Sequence, residues 1–349
     1  MSEKGAPAVA RAPRHDAARM TRRAGGDAMQ TALSREFLQQ WAPLIVLIAL
    51  VAVLTLIEPR FFSPRNFARI GISSAPALMV AVGVTFIILM GSIDLSMEGT
   101  VAVSAVVFAY AFLWLGGETA GAGALAIPLA LAVGALSGFV NGYTHVRLKI
   151  PSFMASLAMG FVGIGVAMVL TGGDRVRIED EVFRSLLTVR LLGFPLMVWL
   201  AGVALLIAWF IQRNTAIGRN FYAVGGGEEL AHASGVKVNR VRLIAFTLAG
   251  VFYALGALFA VGRLGIAETA TGSNLMFVSI TSVVVGGTLL WGGAGGVMNT
   301  LVGVLIVNVI NNGMIIVGIP DYMQAGVLGL MVIAAVVLST DRAKLAFVK

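Results

Sequence analysis

The stretch Ser73–Leu115 reads SSAPALMVAVGVTFIILMGSIDLSMEGTVAVSAVVFAYAFLWL, and its two halves decide what kind of molecule this is. Residues 73 to 90 and 99 to 115 contain no Asp, Glu, Lys or Arg. Each is close to the ~20 apolar residues that a helix needs to cross a bilayer core. Between them lies GSIDLSMEGT (91–100), with two carboxylates, Asp94 and Glu98, and no Lys or Arg between Arg69 and Arg147 to neutralise them. A soluble strand or helix offers no reason for such a pattern. A pair of membrane helices joined through a polar break does.

Outward from this stretch the same texture continues. The chain has 349 residues, 58% of them hydrophobic and 12% charged, where ordinary soluble domains carry roughly 25% charged residues. Mean hydropathy is +0.92. Apolar segments recur at roughly 41–57, 73–90, 99–115, 124–145, 152–171, 195–211, 243–262, 276–290, 297–317 and 323–339. The expected fold class is therefore all-α: a polytopic integral membrane protein with about ten transmembrane helices, some of them broken or re-entrant. The absence of cysteine excludes disulfides, thiolate metal sites and cysteine nucleophiles. His15, His145 and His232 are too scattered to suggest a metal site, so no metal and no cofactor is expected. His145 reads as an interfacial residue, and His232 as a surface residue.

The net charge of +8 is carried by tails and loops, which argues for membrane orientation rather than nucleic-acid binding. Residues 1–38 form a basic tail, expected to be disordered, with no apolar core of a signal peptide. Met20 and Met29 leave open a later start of translation. Residues 39–340 form the transmembrane domain, and 341–349 a C-terminal tail. With the N-terminus inside, 17 Lys and Arg fall on the inner side and 8 on the outer, so both termini are expected in the cytoplasm. Arg60, Arg65 and Arg69 run against that trend. The hydrophilic stretch 172–194 is then an external lid.

The segment 212–242 (QRNTAIGRNFYAVGGGEELAHASGVKVNRVR) is the longest interior loop. Gly225, Gly226 and Gly227 end one element. Glu228 and Glu229 open a short helix with acidic residues where the helix dipole favours them, and the helix runs through Ser234 to an αL cap at Gly235. It is either a docking helix or a solvated surface helix. Elsewhere, Gly134, Gly138 and Gly142 make a GxxxGxxxG stripe suited to close helix packing. Asn308, Asn311 and Asn312 share a helix face, and either hydrogen-bond between helices or line a pore. The glycine-rich run 286–296 lacks the Lys and Ser/Thr of a phosphate loop, and no GxxxxGK[ST] occurs anywhere.

Four ordered motifs carry a family resemblance. Gly218–Glu228 with Ala233-Ser-Gly235 and Arg240-Val-Arg242 resembles the cytoplasmic coupling loop of permease subunits of ATP-binding-cassette importers of the ribose and xylose type. GSIDLSMEGT, VVVGGTLLWGGAGG (283–296) and LIVNVINNG (305–313) are similar to three further motifs of that family. The resemblance implies an all-helical inner-membrane permease, without catalytic residues of its own, that pairs with a second, identical or distinct, permease subunit. It implies two ATP-binding-cassette ATPase domains beneath the pair and a periplasmic binding protein that delivers a monosaccharide or related polyol. Met97-Glu-Gly-Thr100, Met276 and Val278 depart from the family pattern and bear on the solute subgroup. Branched-chain amino acids, nucleosides, and an ion-coupled secondary transporter are the alternatives. A membrane enzyme is disfavoured by the lack of HExxH and GxSxG.

Within this frame Asp94 is expected to accept hydrogen bonds from the first turn of the following helix, with Ser96 and Glu98 in the same favourable field. A role in the solute pathway or its gate is compatible with that.

Overall fold

The computed structural model describes residues 41–339; the tails assigned to 1–38 and 341–349 lie outside them. Helix follows helix: α1 (Trp41–Ile57), α2 (Pro64–Leu89), α3 (Met97–Trp114), α4 (Ala126–Arg147), α5 (Ser152–Thr171), α6 (Glu181–Thr188), α7 (Leu196–Asn214), α8 (Ala216–Gly226), α9 (Glu228–Ala233), α10 (Val238–Leu264), α11 (Leu275–Val285), α12 (Val297–Val317) and α13 (Asp321–Ser339). Local chemistry sets several ends. Ser63 caps α2 by accepting from the Asn66 N–H, and Pro64 follows where no N–H is needed. Gly172 and Gly265, both left-handed, close α5 and α10.

Among the described residues, seven helices are long and apolar enough to cross a membrane: α2, α3, α4 with its preceding turn, α5, α7, α10 and α12. This is a multi-pass helical membrane protein, and seven of the ten expected spans fall on these helices. The expected span 276–290 differs most clearly. There α11 stops at Val285 after 11 residues, about 17 Å of helix against a core of about 30 Å. Gly286 follows, and Gly287 at φ +96° takes the chain out of helix into a loop that lasts to Gly296.

The bundle is organised around α2 and α10, whose most apolar windows are 89% and 72% buried inside the protein. By contrast, α4 and α5 are only 28% and 22% buried; they turn Leu136, Phe161 and Val169 outward, as lipid-facing helices do. The glycine stripe brings α4 onto α10. A Cβ at Gly138 would lie 2.1 Å from the Phe246 carbonyl, and one at Gly134 2.4 Å from that of Gly250. With lipid as apolar as leucine, such backbone-to-backbone proximity is what holds the pair together.

The two ends of the bundle differ. At one, the loops after α3, α5, α7's start and α10 interlock. Val176–Arg177 (β1) pairs with Ile266–Ala267 (β4), Arg190–Leu191 (β2) pairs with Phe194–Pro195 (β3), and Asp180 takes hydrogen bonds from both the N–H and the hydroxyl of Thr119. At the other end, α8 packs against the C-terminus of α2 and the 286–296 loop, and α9 follows it against α10.

Candidate functional site

The break between α2 and α3 climbs along the first half of α5. Ile93 N–H donates to Ser152 Oγ (3.1 Å) and Leu95 N–H to Ser156 Oγ (2.9 Å). Gly99 then sits so close to α5 that its Cβ would fall 2.0 Å from the Gly160 carbonyl. Ser152, Ser156 and Gly160 follow one another at helical spacing, so α5 supplies hydroxyls where the passing backbone is extended and bare backbone where α3 begins. Since Gly160 is the ninth residue of α5, α3 starts about 12 Å into the bundle.

Asp94 is 2% exposed. Its Oδ1 accepts from Ser96 N–H (2.8 Å), Ser96 Oγ–H (2.7 Å) and Asn141 Nδ2 of α4 (3.2 Å), and its Oδ2 from the Tyr253 hydroxyl of α10 (3.1 Å). Four donors from three elements thus take the place of a counter-ion. This corrects the expected cap. The residue preceding α3 is Ser96, whose side chain makes no capping bond, and the carboxylate reaches only the Ser96 N–H because the extended chain turns it toward α4 and α10. Asn141 and Tyr253 were not anticipated. A polar residue beside the glycine stripe, on the face of α4 that packs against other helices, was the available signal for Asn141.

Glu98, half-buried in the first turn of α3, serves a different helix. Its Oε1 accepts a long bond from the Met276 N–H (3.4 Å), in the first turn of α11. A Cβ at Gly272 would touch the Glu98 carbonyl at 2.4 Å. Next to this contact the chain exposes Ser273 and Asn274, the latter left-handed at φ +66°. Two helix N-termini and three polar side chains therefore meet near half depth.

At the opposite margin, α9 begins with Glu228 held by Arg242 through two bonds of 2.9 and 2.7 Å. Glu229, Leu230 and His232 are exposed, Leu230 at 74%. Ser234 bonds back to Leu230, and Gly235 at φ +86° turns the chain toward α10. An open groove of about 340 Å³ lies beside it, lined by residues that include Asn220, Lys237 and Arg240. Gly225 belongs elsewhere: its Cβ would stand 1.9 Å from the Leu89 carbonyl, so it seats α8 against α2. A Cβ at Gly226 would meet open space.

The asparagine face of α12 differs from the expectation of interhelical bonds. Asn308 donates to Val304 of its own helix (2.9 Å), Asn311 is half-buried, and Asn312 Oδ1 is buried without a partner. The bond between α2 and α12 comes instead from Thr85 and Thr300, hydroxyl to hydroxyl at 2.6 Å. Among the described residues no group of three or more His, Asp or Glu could hold a metal ion. His145, half-buried, contacts the Ile150 carbonyl through Nδ1 (2.7 Å).

A helical bundle in which broken elements meet at half depth, each backbone break satisfied by protein, is an architecture of solute-translocating membrane proteins. The chain belongs to the family described as branched-chain amino acid transport system / permease component, whose profile matches residues 66–336. It is 34% identical over 310 residues to the ribose import permease protein of Haemophilus influenzae, covering 86% of this chain and 93% of that one. It is 30% identical over 310 residues to the L-arabinose transport system permease protein of Escherichia coli, covering 87% and 92%. A D-allose transport system permease protein of the same organism is 30% identical over 305 residues, covering 86% and 92%. No solved structure matches the chain significantly.

Proposed function

We propose that this chain is the membrane-spanning subunit of an ATP-driven importer of a monosaccharide or related polyol in a bacterial inner membrane. The observation that carries the reading is the half-depth meeting of α3 and α11, where Glu98, Ser273 and Asn274 are partly or fully accessible. Polar groups at that depth face protein or a watery cavity, not lipid, so they are placed to line a path. The similarity to permeases named for ribose, L-arabinose and D-allose supports a sugar as the solute. Sugars offer hydroxyls and no charge, which suits one carboxylate and neutral donors.

On this reading Asp94 and Ser96 fix the broken stretch to α4 and α10, while Glu98 and the face of Asn308, Asn311 and Asn312 border the path. The α9 end is cytoplasmic, in keeping with the Lys and Arg distribution, and both termini lie on that side. Two ATP-binding-cassette subunits act on Glu228–Gly235, a second permease subunit completes the path, and a binding protein approaches the end that bears α6. The spans then shift as packed bodies to open the path alternately to each side.

The test exploits a chain without cysteine. Leu230→Cys, introduced in the native complex, is expected to crosslink to a nucleotide-hydrolysing neighbour, and the co-isolated binding protein to be thermally stabilised by a sugar. Crosslinking to no such neighbour, or stabilisation by branched-chain amino acids alone, would overturn the assignment.

A further inference from the structure

The 286–296 loop and the N-terminus of α12 are held by two side chains, one from α7 and one from α8. Gln212, in the last turn of α7 and only 8% exposed, accepts the Val297 N–H on Oε1 (2.8 Å). Its Nε2 donates to the Tyr222 hydroxyl of α8, and that hydroxyl donates to the Gly295 carbonyl (2.7 Å). The Tyr222 hydroxyl accepts once and donates once, and each bond runs in the direction its chemistry requires. Gln212 thereby satisfies one of the orphan N–H groups at the start of α12.

The backbone around it is equally tight. Gly293 N–H donates to the Leu89 carbonyl (3.0 Å), and a Cβ at Gly292 would lie 3.0 Å from the Gly225 Cα. The loop is therefore wedged between the end of α2 and α8. α8 leads into α9 through the single residue Gly227, and Tyr222 of α8 bonds Gly295, so a tilt or slide of α8 pulls on Gly295 and the first turn of α12.

We propose that Gln212 and Tyr222 are positioning residues that transmit movement of α9 to α12, and so tie ATP hydrolysis to opening of the path. This rests on the coupling role given to α9 above. The two residues touch neither solute nor nucleotide. They act by fixing the loop to α8, so that displacement of α9 reaches α12 as a translation rather than being absorbed by six glycines. Those glycines, Gly286, Gly287, Gly292, Gly293, Gly295 and Gly296, would otherwise make the loop the softest connection in the bundle.

The decisive measurement is the amount of radiolabelled D-ribose, L-arabinose or D-allose moved per ATP hydrolysed by the complete reconstituted complex. Tyr222→Phe removes only the hydroxyl. It is expected to lower that ratio about fivefold, the factor that one hydrogen bond of ~1 kcal/mol commands, while hydrolysis itself continues. Gln212→Glu keeps the acceptor for Val297 and loses the donor to Tyr222; it should show the same loss and serves if the first variant does not assemble. Trp199→Phe removes a comparable bond, to the Leu191 carbonyl at the α6 end, and should leave the ratio unchanged. A ratio at the wild-type value in Tyr222→Phe or Gln212→Glu, or transport and hydrolysis falling in proportion, would overturn the proposal. Failure of Leu230→Cys to crosslink would instead remove the coupling role of α9 itself.

Discussion

Replacing Gly138 by alanine tests whether α4 and α10 are held by backbone proximity. The new methyl carbon would lie 2.1 Å from the Phe246 carbonyl oxygen and 3.2 Å from the Gly250 Cα, both of them backbone atoms that cannot swing aside. Reaching ordinary contact requires the helices to part by about 1.3 Å, which strips dispersion contacts along the whole seam. Overpacking of this kind costs about 1–3 kcal/mol, and rigid neighbours place Gly138 at the upper end. Against it stands roughly 1 kcal/mol of helix propensity gained on leaving glycine. The net expectation is a loss of about 2 kcal/mol. Gly165 and Gly202 supply the contrast, because nothing lies within 4 Å of a Cβ at either. Only the propensity gain applies there, and alanine should be neutral or stabilising. Thermal unfolding of the purified protein in detergent, read by the surviving monodisperse fraction, compares the three. If Gly138→Ala unfolds at or above the temperature of Gly165→Ala, the account of this seam is wrong.

Other outcomes follow from single contacts. Asp94→Ala orphans the Tyr253 hydroxyl and the Ser96 N–H inside the bundle, at about 1–3 kcal/mol per group, and leaves Asn141 Nδ2 with Ser96 Oγ alone, so folded yield should collapse while Asp94→Asn retains part of it; equal yields would refute the four-donor account. At the α6 end, slight burial would raise the pKa of Asp180, but hydrogen bonds from the Thr119 hydroxyl, the Phe183 N–H and the Thr119 N–H outweigh it and hold the carboxyl below its usual value of 3.8. A depressed value means that its stabilisation is complete above the ordinary carboxylate range and is lost as pH falls through the lowered one. Protease resistance of residues 172–195 should therefore be flat from neutral pH to about 5 and decline only in stronger acid, and Asp180→Asn should remove the acid step. The exposed Arg175–Glu268 pair at 2.7 Å should show a coupling of no more than ~1 kcal/mol in a double-mutant cycle that shrinks in high salt.

Some of this was readable before any coordinates. The span 152–171 coincides with α5, because a proline before it and a glycine after it mark the limits of an apolar run. The stretch 276–290 failed for a definite reason: an apolar run has the same hydropathy whether it crosses the core or stops half-way, and only Gly286-Gly287 hinted at a stop. The short helix at Glu228 and the left-handed turn at Gly235 were legible from dipole and capping chemistry. The Arg242 partner of Glu228, however, lies 14 residues on and on another helix. Gln212 and Tyr222 left no signal, since their partners at Val297 and Gly295 are 85 and 73 residues away and no local pattern encodes them.

The contrast between α2 and α5 reaches back to how the protein is made. Their most apolar windows have equal mean hydropathy, yet one ends encased in this chain and the other turns most of its surface away from it. Greasiness therefore gains each segment entry to the bilayer during synthesis without assigning its final address. An early span such as α2 leaves the ribosome before α10, the helix that packs against it most extensively, has been made.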